Sequence, residues 1–227
     1  MERHKILTPV KERRKLLSAV ALACVLLFIV SCAGPHSSLK DERAPRLSDI
    51  KNLLRLPLIP QSKDYTCGAA ALQSVLLYYG EEFREDQLLE VLQSTVEEGT
   101  DYRRMVQFVM ERGYRVAVLS EMSVQGLQEM IDRRIPVIVG LQAWPEQPVN
   151  WETSFDEGHY AVVVGYDKGN IYFMDPSTPG HYTFISTDEF LRRWHDKHRD
   201  GTILNRFGIM ISKDRPYYDP EDILYMK

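Results

Sequence analysis

The chain has 227 residues, with 28 Lys/Arg against 32 Asp/Glu and a formal charge of −4. An acidic balance without a basic run excludes nucleic acid as the expected partner. The length suits one domain with a sizeable core beyond the N-terminal region.

Residues 1–31 read as a signal peptide: a basic start with Arg3, Lys5, Lys11, Arg13, Arg14 and Lys15, then the apolar run "LLSAVALACVLLFIV". The run ends in "IVSCAG", with Ser31 before Cys32, and this resembles the lipobox of bacterial lipoproteins. That resemblance implies lipidation of Cys32 and a membrane anchor in the bacterial cell envelope. Ala33 after Cys32 favours the outer membrane, facing the periplasm. An uncleaved transmembrane anchor is the competing reading of the same run. Residues 1–31 hold six basic and two acidic residues, so cleavage leaves a chain of formal charge −8. Residues 32–52 then form a polar tether after the lipidated cysteine. Residues 53–212 are the expected folded domain and 213–227 a tail.

Within the domain, Pro57 and Pro60 mark an extended entry, and Thr66 to Tyr79 an alanine-rich helix closed by Gly80. "EDQLLEVLQSTV" predicts a second helix, and "TDYRRMVQFVMERG" a third with Thr100 as N-cap and Gly113 as stop. "YRVAVL" predicts a strand, "SVQGLQEMIDRR" a helix capped by Ser123, and "IPVIVGLQ" a buried strand. Residues 143–158 are a long loop of the kind that often carries function. "HYAVVVGYD" and "NIYFMD" predict a hairpin turning at Lys168-Gly169, followed by the strand "HYTFIS". "TDEFLRRWHDKH" predicts a helix and "ILNRFGIMIS" a last strand. Helices first and antiparallel strands later make an α+β domain.

Cleavage removes Cys24 and lipidation consumes Cys32, which leaves Cys67 as the one free thiol in an oxidising compartment. It stands at the first turn of a helix, where backbone N–H groups and the positive dipole end favour an anionic sulfur. Gly68 beside it is expected to let a substrate backbone approach. Cysteine chemistry needs a base with a pKa near neutrality and a polar group to orient it. His36 lies in the tether, His181 opens an ordinary strand, and His195 and His198 are expected on a solvated helix face. His159 starts an apolar strand directly after the long loop. Hairpin pairing about residues 168–169 brings Asp175 to the same sheet end.

The string "QSKDYTCG", the helix "CGAAALQSVLLYYG", and the later "GHYAVVVGYD" and "IYFMDPS" resemble the C39 peptidases, papain-like cysteine proteases known for removing double-glycine leaders. The resemblance implies a papain-like fold in which helices pack on a mostly antiparallel sheet. It implies Cys67 as nucleophile, His159 as general base, Asp175 as its orienter and the Gln61 amide as oxyanion donor, with no cofactor or metal. The best-known members are domains of ABC transporters, whereas this sequence shows no transmembrane bundle and no Walker motif. Neither ATP nor double-glycine specificity therefore carries over, and substrate delivery would fall to a separate export system. The expected activity is a membrane-anchored cysteine peptidase acting on peptides or secreted proteins. A papain-fold peptidoglycan hydrolase or acyl transferase, and a non-catalytic peptide-binding module, are the alternatives.

Overall fold

A computed structural model of the chain describes residues 45–226, apart from Lys51 and Glu146. The signal segment, Cys32 and most of the tether lie outside the described residues. Among those described, no helix is long and apolar enough to cross a membrane.

The first helix, α1 (Cys67–Tyr78), is apolar nearly all round, as a helix enclosed on every side must be. Ala69, Ala70, Ala71, Leu72, Val75 and Leu76 are wholly buried. Its one deep polar group is satisfied, since Ser74 Oγ donates to the Pro57 carbonyl at 2.7 Å. Helix α2 (Glu85–Leu92) stops at Gln93, whose φ of +50° breaks the helix before the expected end. Helix α3 (Tyr102–Met110) is capped by Asp101, whose side chain accepts from Arg103 N at 2.8 Å. Thr100 is not the cap. It is buried, and its hydroxyl pairs with Ser94 Oγ.

Strand β1 (Arg115–Leu119) leads to α4 (Val124–Asp132), where Ser123 caps as expected by accepting from Gly126 N. Then come β2 (Val137–Gln142), β3 (Gly158–Tyr166), β4 (Asn170–Met174) and β5 (Tyr182–Ser186). They join β8 (Gly208–Ser212) in a six-stranded sheet of order β1-β8-β2-β3-β4-β5. Each pairing is antiparallel. Every residue of β2 is buried, because α1 and α4 pack at the sheet centre and the 195–205 region closes over it. The α+β, papain-like expectation holds.

Two elements differ from the sequence reading. The helix from Thr187 ends at Arg193 (α5), and residues 195–197 turn into a strand, β6, paired with β7 (Ile203–Asn205). The reason is Asp200-Gly201, a turn pair with Gly201 at φ +85° that folds the chain back as a hairpin. Arg206, at φ +45°, then separates β7 from β8 where one strand was expected. Arg46 opens the compact unit. Ile50 joins the core, and the tail is fastened where Tyr217 N and Tyr218 N donate to Tyr78 O.

Candidate active site

Cys67 is the first residue of α1 and is 8% exposed. Thr66 precedes it but makes no side-chain cap bond. Its hydroxyl instead closes the 63–66 turn, donating to Lys63 O at 3.0 Å and accepting from Lys63 N. The first N–H groups of α1 therefore remain as donors beside the sulfur, since a helix has no internal partners for them. Gly68 does not face an open approach. A Cβ there would lie 2.7 Å from Thr100 Cβ, so the glycine is required by packing against Thr100.

β3 and β4 bring His159 and Asp175 to one sheet end, as expected, but a β-bulge between Val163 and Gly165 shifts the register set by the turn by one residue, and this puts the two on the same face. His159 Nε2 and Asp175 Oδ1 are 2.8 Å apart and both residues are buried. With Nε2 on the carboxylate, Nδ1 is the ring nitrogen left for the thiol. Burial disfavours the imidazolium, but hydrogen bonds to Asp175 and to Cys67, with their charges, outweigh it and push His159 up to about 9. Asp175 is fixed by its own turn: Oδ1 also accepts from Ser177 N at 2.9 Å, and Thr178 N donates to Asp175 O.

Gln61 joins the two halves. Its N–H donates to Pro176 O at 3.0 Å, and its Oε1 accepts from Ser177 Oγ at 3.0 Å. Its amide nitrogen donates to Lys63 O at 2.9 Å and Asp64 O at 3.3 Å. Both amide hydrogens are thus engaged with carbonyls.

His195 and His198 are not solvated. His195 packs on Phe155, and its Nε2 donates to Trp151 O and Arg192 O. Burial lowers its pKa, and its Nδ1 is buried without a partner among the described residues. His198 lies between carboxylates, with Nε2 3.3 Å from Asp101 and Nδ1 3.1 Å from Asp200. The helix expected there would have exposed both rings, but the β6–β7 hairpin turns them inward. No cluster of three His, Cys, Asp or Glu fit to hold a metal occurs among the described residues.

The Cys67–His159 pair sits between two cavities. On the Cys67 side is one of about 380 Å³, with Asp64, Glu97, Asp156, Asp196 and Tyr160 in its wall. Burial raises Asp196 despite bonds from Lys197 N and Gln142, and Tyr160 is pushed well above its usual range by burial and then by Asp196. Asp196 is why residue 158 is glycine: a Cβ there would lie 2.9 Å from both carboxylate oxygens. On the His159 side a smaller recess of about 50 Å³ touches Asp175 and Trp144. The sequence reading missed Trp144, Tyr160 and Asp196. Trp144 lies in the long loop and Tyr160 just after it, and that loop was the available signal. Asp196 was hidden by the helix expected over it.

This architecture matches solved structures closely enough to share their fold. The peptidase domain of Streptococcus ComA, a bifunctional ABC transporter of a quorum-sensing pathway, aligns with a TM-score of 0.51 at 22% identity, covering 71% of this chain and 99% of that one. A protein from Bacillus anthracis described as a C39-like peptidase aligns at 0.57 and 17% identity, covering 73% and 98%. A double-glycine-motif protease from an AMS/PCAT transporter, solved with its leader peptide, aligns at 0.50 and 19% identity, covering 71% and 94%. Among curated proteins, the transport/processing ATP-binding protein ComA of Streptococcus pneumoniae is 27% identical over 139 residues. That alignment takes in 60% of this chain but only 17% of the relative's length. The profile of the Peptidase_C39 like family matches residues 53–201, more than half of the sequence, and the chain belongs to that family.

Proposed function

We propose that the protein is an exported, membrane-anchored cysteine peptidase that hydrolyses peptide bonds in peptides or secreted proteins. The observation that carries the reading is the 2.8 Å His159–Asp175 bond beside a buried free thiol at a helix N-terminus. Family membership supports the peptidase class.

In this reading His159 takes the Cys67 thiol proton, Sγ attacks the scissile carbonyl carbon, and a C–S bond forms as the C=O π pair moves onto the oxygen. The C–N bond then breaks as His159 gives its proton to the departing amine. Water, deprotonated by His159, hydrolyses the thioester and restores the thiol. Asp175 holds the ring so that Nδ1 faces the sulfur throughout. The oxyanion is held by N–H groups at the start of α1 and by the Gln61 amide. Gln61 then exchanges its bonds to Lys63 O and Asp64 O for a charge-assisted one, which is the stronger kind. None of these steps needs a metal or cofactor. Lipid on Cys32 holds the domain at the outer membrane, and a separate export system supplies substrate.

The test compares wild type with Cys67→Ala in the native envelope by mapping new peptide termini. Termini that disappear in the variant, while the variant stays folded, support the peptidase. Identical termini in both would leave a peptide-binding module.

A further inference from the structure

Proteolysis by this triad has a direction. The acyl part of the substrate stays on Cys67 and the amine leaves with a proton from His159, so the segment after the scissile bond passes on the His159 side. There the ends of β2, β4 and β5 form a shallow recess walled by Leu141, Ala143, Trp144, Phe173, Phe184 and Ile185, with His159 and Asp175 at its edge. The wall is apolar. The cavity on the Cys67 side is mixed, with Asp156 and Asp196 beside Lys197, Arg199, Phe155 and Leu204.

Two aromatic rings of the recess stay open: Trp144 is 55% exposed and Phe184 36%. Trp144 is held at φ +62°, a left-handed conformation that a bulky side chain rarely adopts, and Pro145 behind it narrows its choices further. The core gains little from this strain, because more than half of the side chain faces out. The flanks that hold it are built firmly. Ala143 N donates to Glu157 O at 2.9 Å, and Glu157 N donates to Gln142 Oε1 at 3.0 Å. Farther along the loop, Trp151 O accepts from His195, and the Trp151 ring lies under Arg193. Strain maintained by a braced loop beside a reactive group marks a functional position. Arg193 also borders the recess but is already paired with Glu189, so it does not turn the recess into a carboxylate site.

We propose that Trp144 is the specificity-determining residue on the leaving-group side, taking against its ring an aliphatic or aromatic side chain from the residue immediately after the scissile bond. This rests on the peptidase reading. The preference is assigned to that position, because Trp144 lines the recess on the His159 side and not the cavity on the Cys67 side.

The test digests a proteome-derived peptide library with the full-length chain in non-ionic detergent and reads the new termini by mass spectrometry. Wild type, Trp144→Ala, Trp144→Phe and Cys67→Ala are run in parallel. Wild type is expected to enrich Leu, Ile, Val, Met, Phe and Tyr just after the cut. In Trp144→Ala the ratio of cleavage before those residues to cleavage before glycine should fall about tenfold, the size of effect expected from losing one apolar pocket wall. Trp144→Phe should restore most of it, and the pH profile of Cys67 alkylation should not move. An unchanged cleavage ratio in Trp144→Ala overturns the proposal. So does an even loss at all sites with a shifted alkylation profile, which would mean that Trp144 positions the His159–Asp175 pair. If wild type and Cys67→Ala give the same termini, the peptidase reading itself falls, and this proposal with it.

Discussion

Gln61 Oε1 accepts a 3.0 Å hydrogen bond from Ser177 Oγ, two residues beyond Asp175, so the turn before Cys67 is tied to the turn that holds Asp175. The same side chain is proposed as an oxyanion donor, and the two roles make different predictions. As a donor, Gln61→Ala should lower kcat by about 100- to 1,000-fold with little change in KM, because the interaction develops with the charge. Ser177→Ala removes only the brace and should cost less than about tenfold. Steady-state kinetics on one peptide substrate separates them. Equal losses in the two variants would reduce Gln61 to a brace, and a loss confined to KM would make it a binding residue.

Gly68→Ala should act on stability. The added Cβ would meet Thr100 Cβ at 2.7 Å, and neither the helix nor a β-branched neighbour moves easily. Overpacking of this kind costs about 1–3 kcal/mol. Gly169→Ala, where a Cβ meets nothing within 4 Å, should stay within about 0.5 kcal/mol. Urea denaturation measures both. A Gly68→Ala variant as stable as wild type, with impaired substrate affinity, would return Gly68 to the role of admitting the substrate backbone.

That His159 and Asp175 reach the same sheet end was legible, because a turn at 168–169 brings those chain segments together; the bulge between Val163 and Gly165 that sets them on one face was not. Cys67 was legible from helix phase and from the cysteine count. Whatever depends on contacts distant in sequence was not. Nothing near Gly68 announces Thr100, and nothing near Gly158 announces Asp196. His195 and His198 were misplaced because a run of charged residues after Phe190 looks helical. The Asp200-Gly201 turn and the burial of Trp194, stacked on Phe190 and donating to Phe207 O, bring those histidines inward. They are accordingly poor neutral controls in a histidine scan. His181, exposed before β5, is the better one.

The proposed anchor makes a separate prediction. Cys32→Ala should abolish incorporation of a palmitate analogue and release the protein from the envelope membrane, while the rate constant per folded molecule stays the same. Wild-type protein that takes up no label would leave the uncleaved apolar segment as the anchor.

His159 also gives the protein a pH signature. Its folded-state pKa, about 9, is above the ordinary 6.5: burial opposes the charge, but the bonds to Asp175 and Cys67 win. A raised pKa means that the folded protein holds this proton more tightly than the unfolded chain. Its contribution to stability is therefore complete below about pH 6.5 and is lost as pH rises through about 9. Asp175→Asn removes the negative charge beside the imidazolium and leaves a neutral amide oxygen as acceptor, so the variant should show a smaller fall in melting temperature across that window than wild type. The basic limb of kcat/KM should move with it, toward lower pH by about one unit or more, the usual effect of losing an adjacent carboxylate. His181→Ala should leave both curves in place. Thermal melts and rate profiles from pH 6 to 10 on the three proteins provide the comparison. Parallel curves for wild type and Asp175→Asn would mean that the carboxylate does not support the imidazolium, and Asp175 would lose its place in the proposed triad.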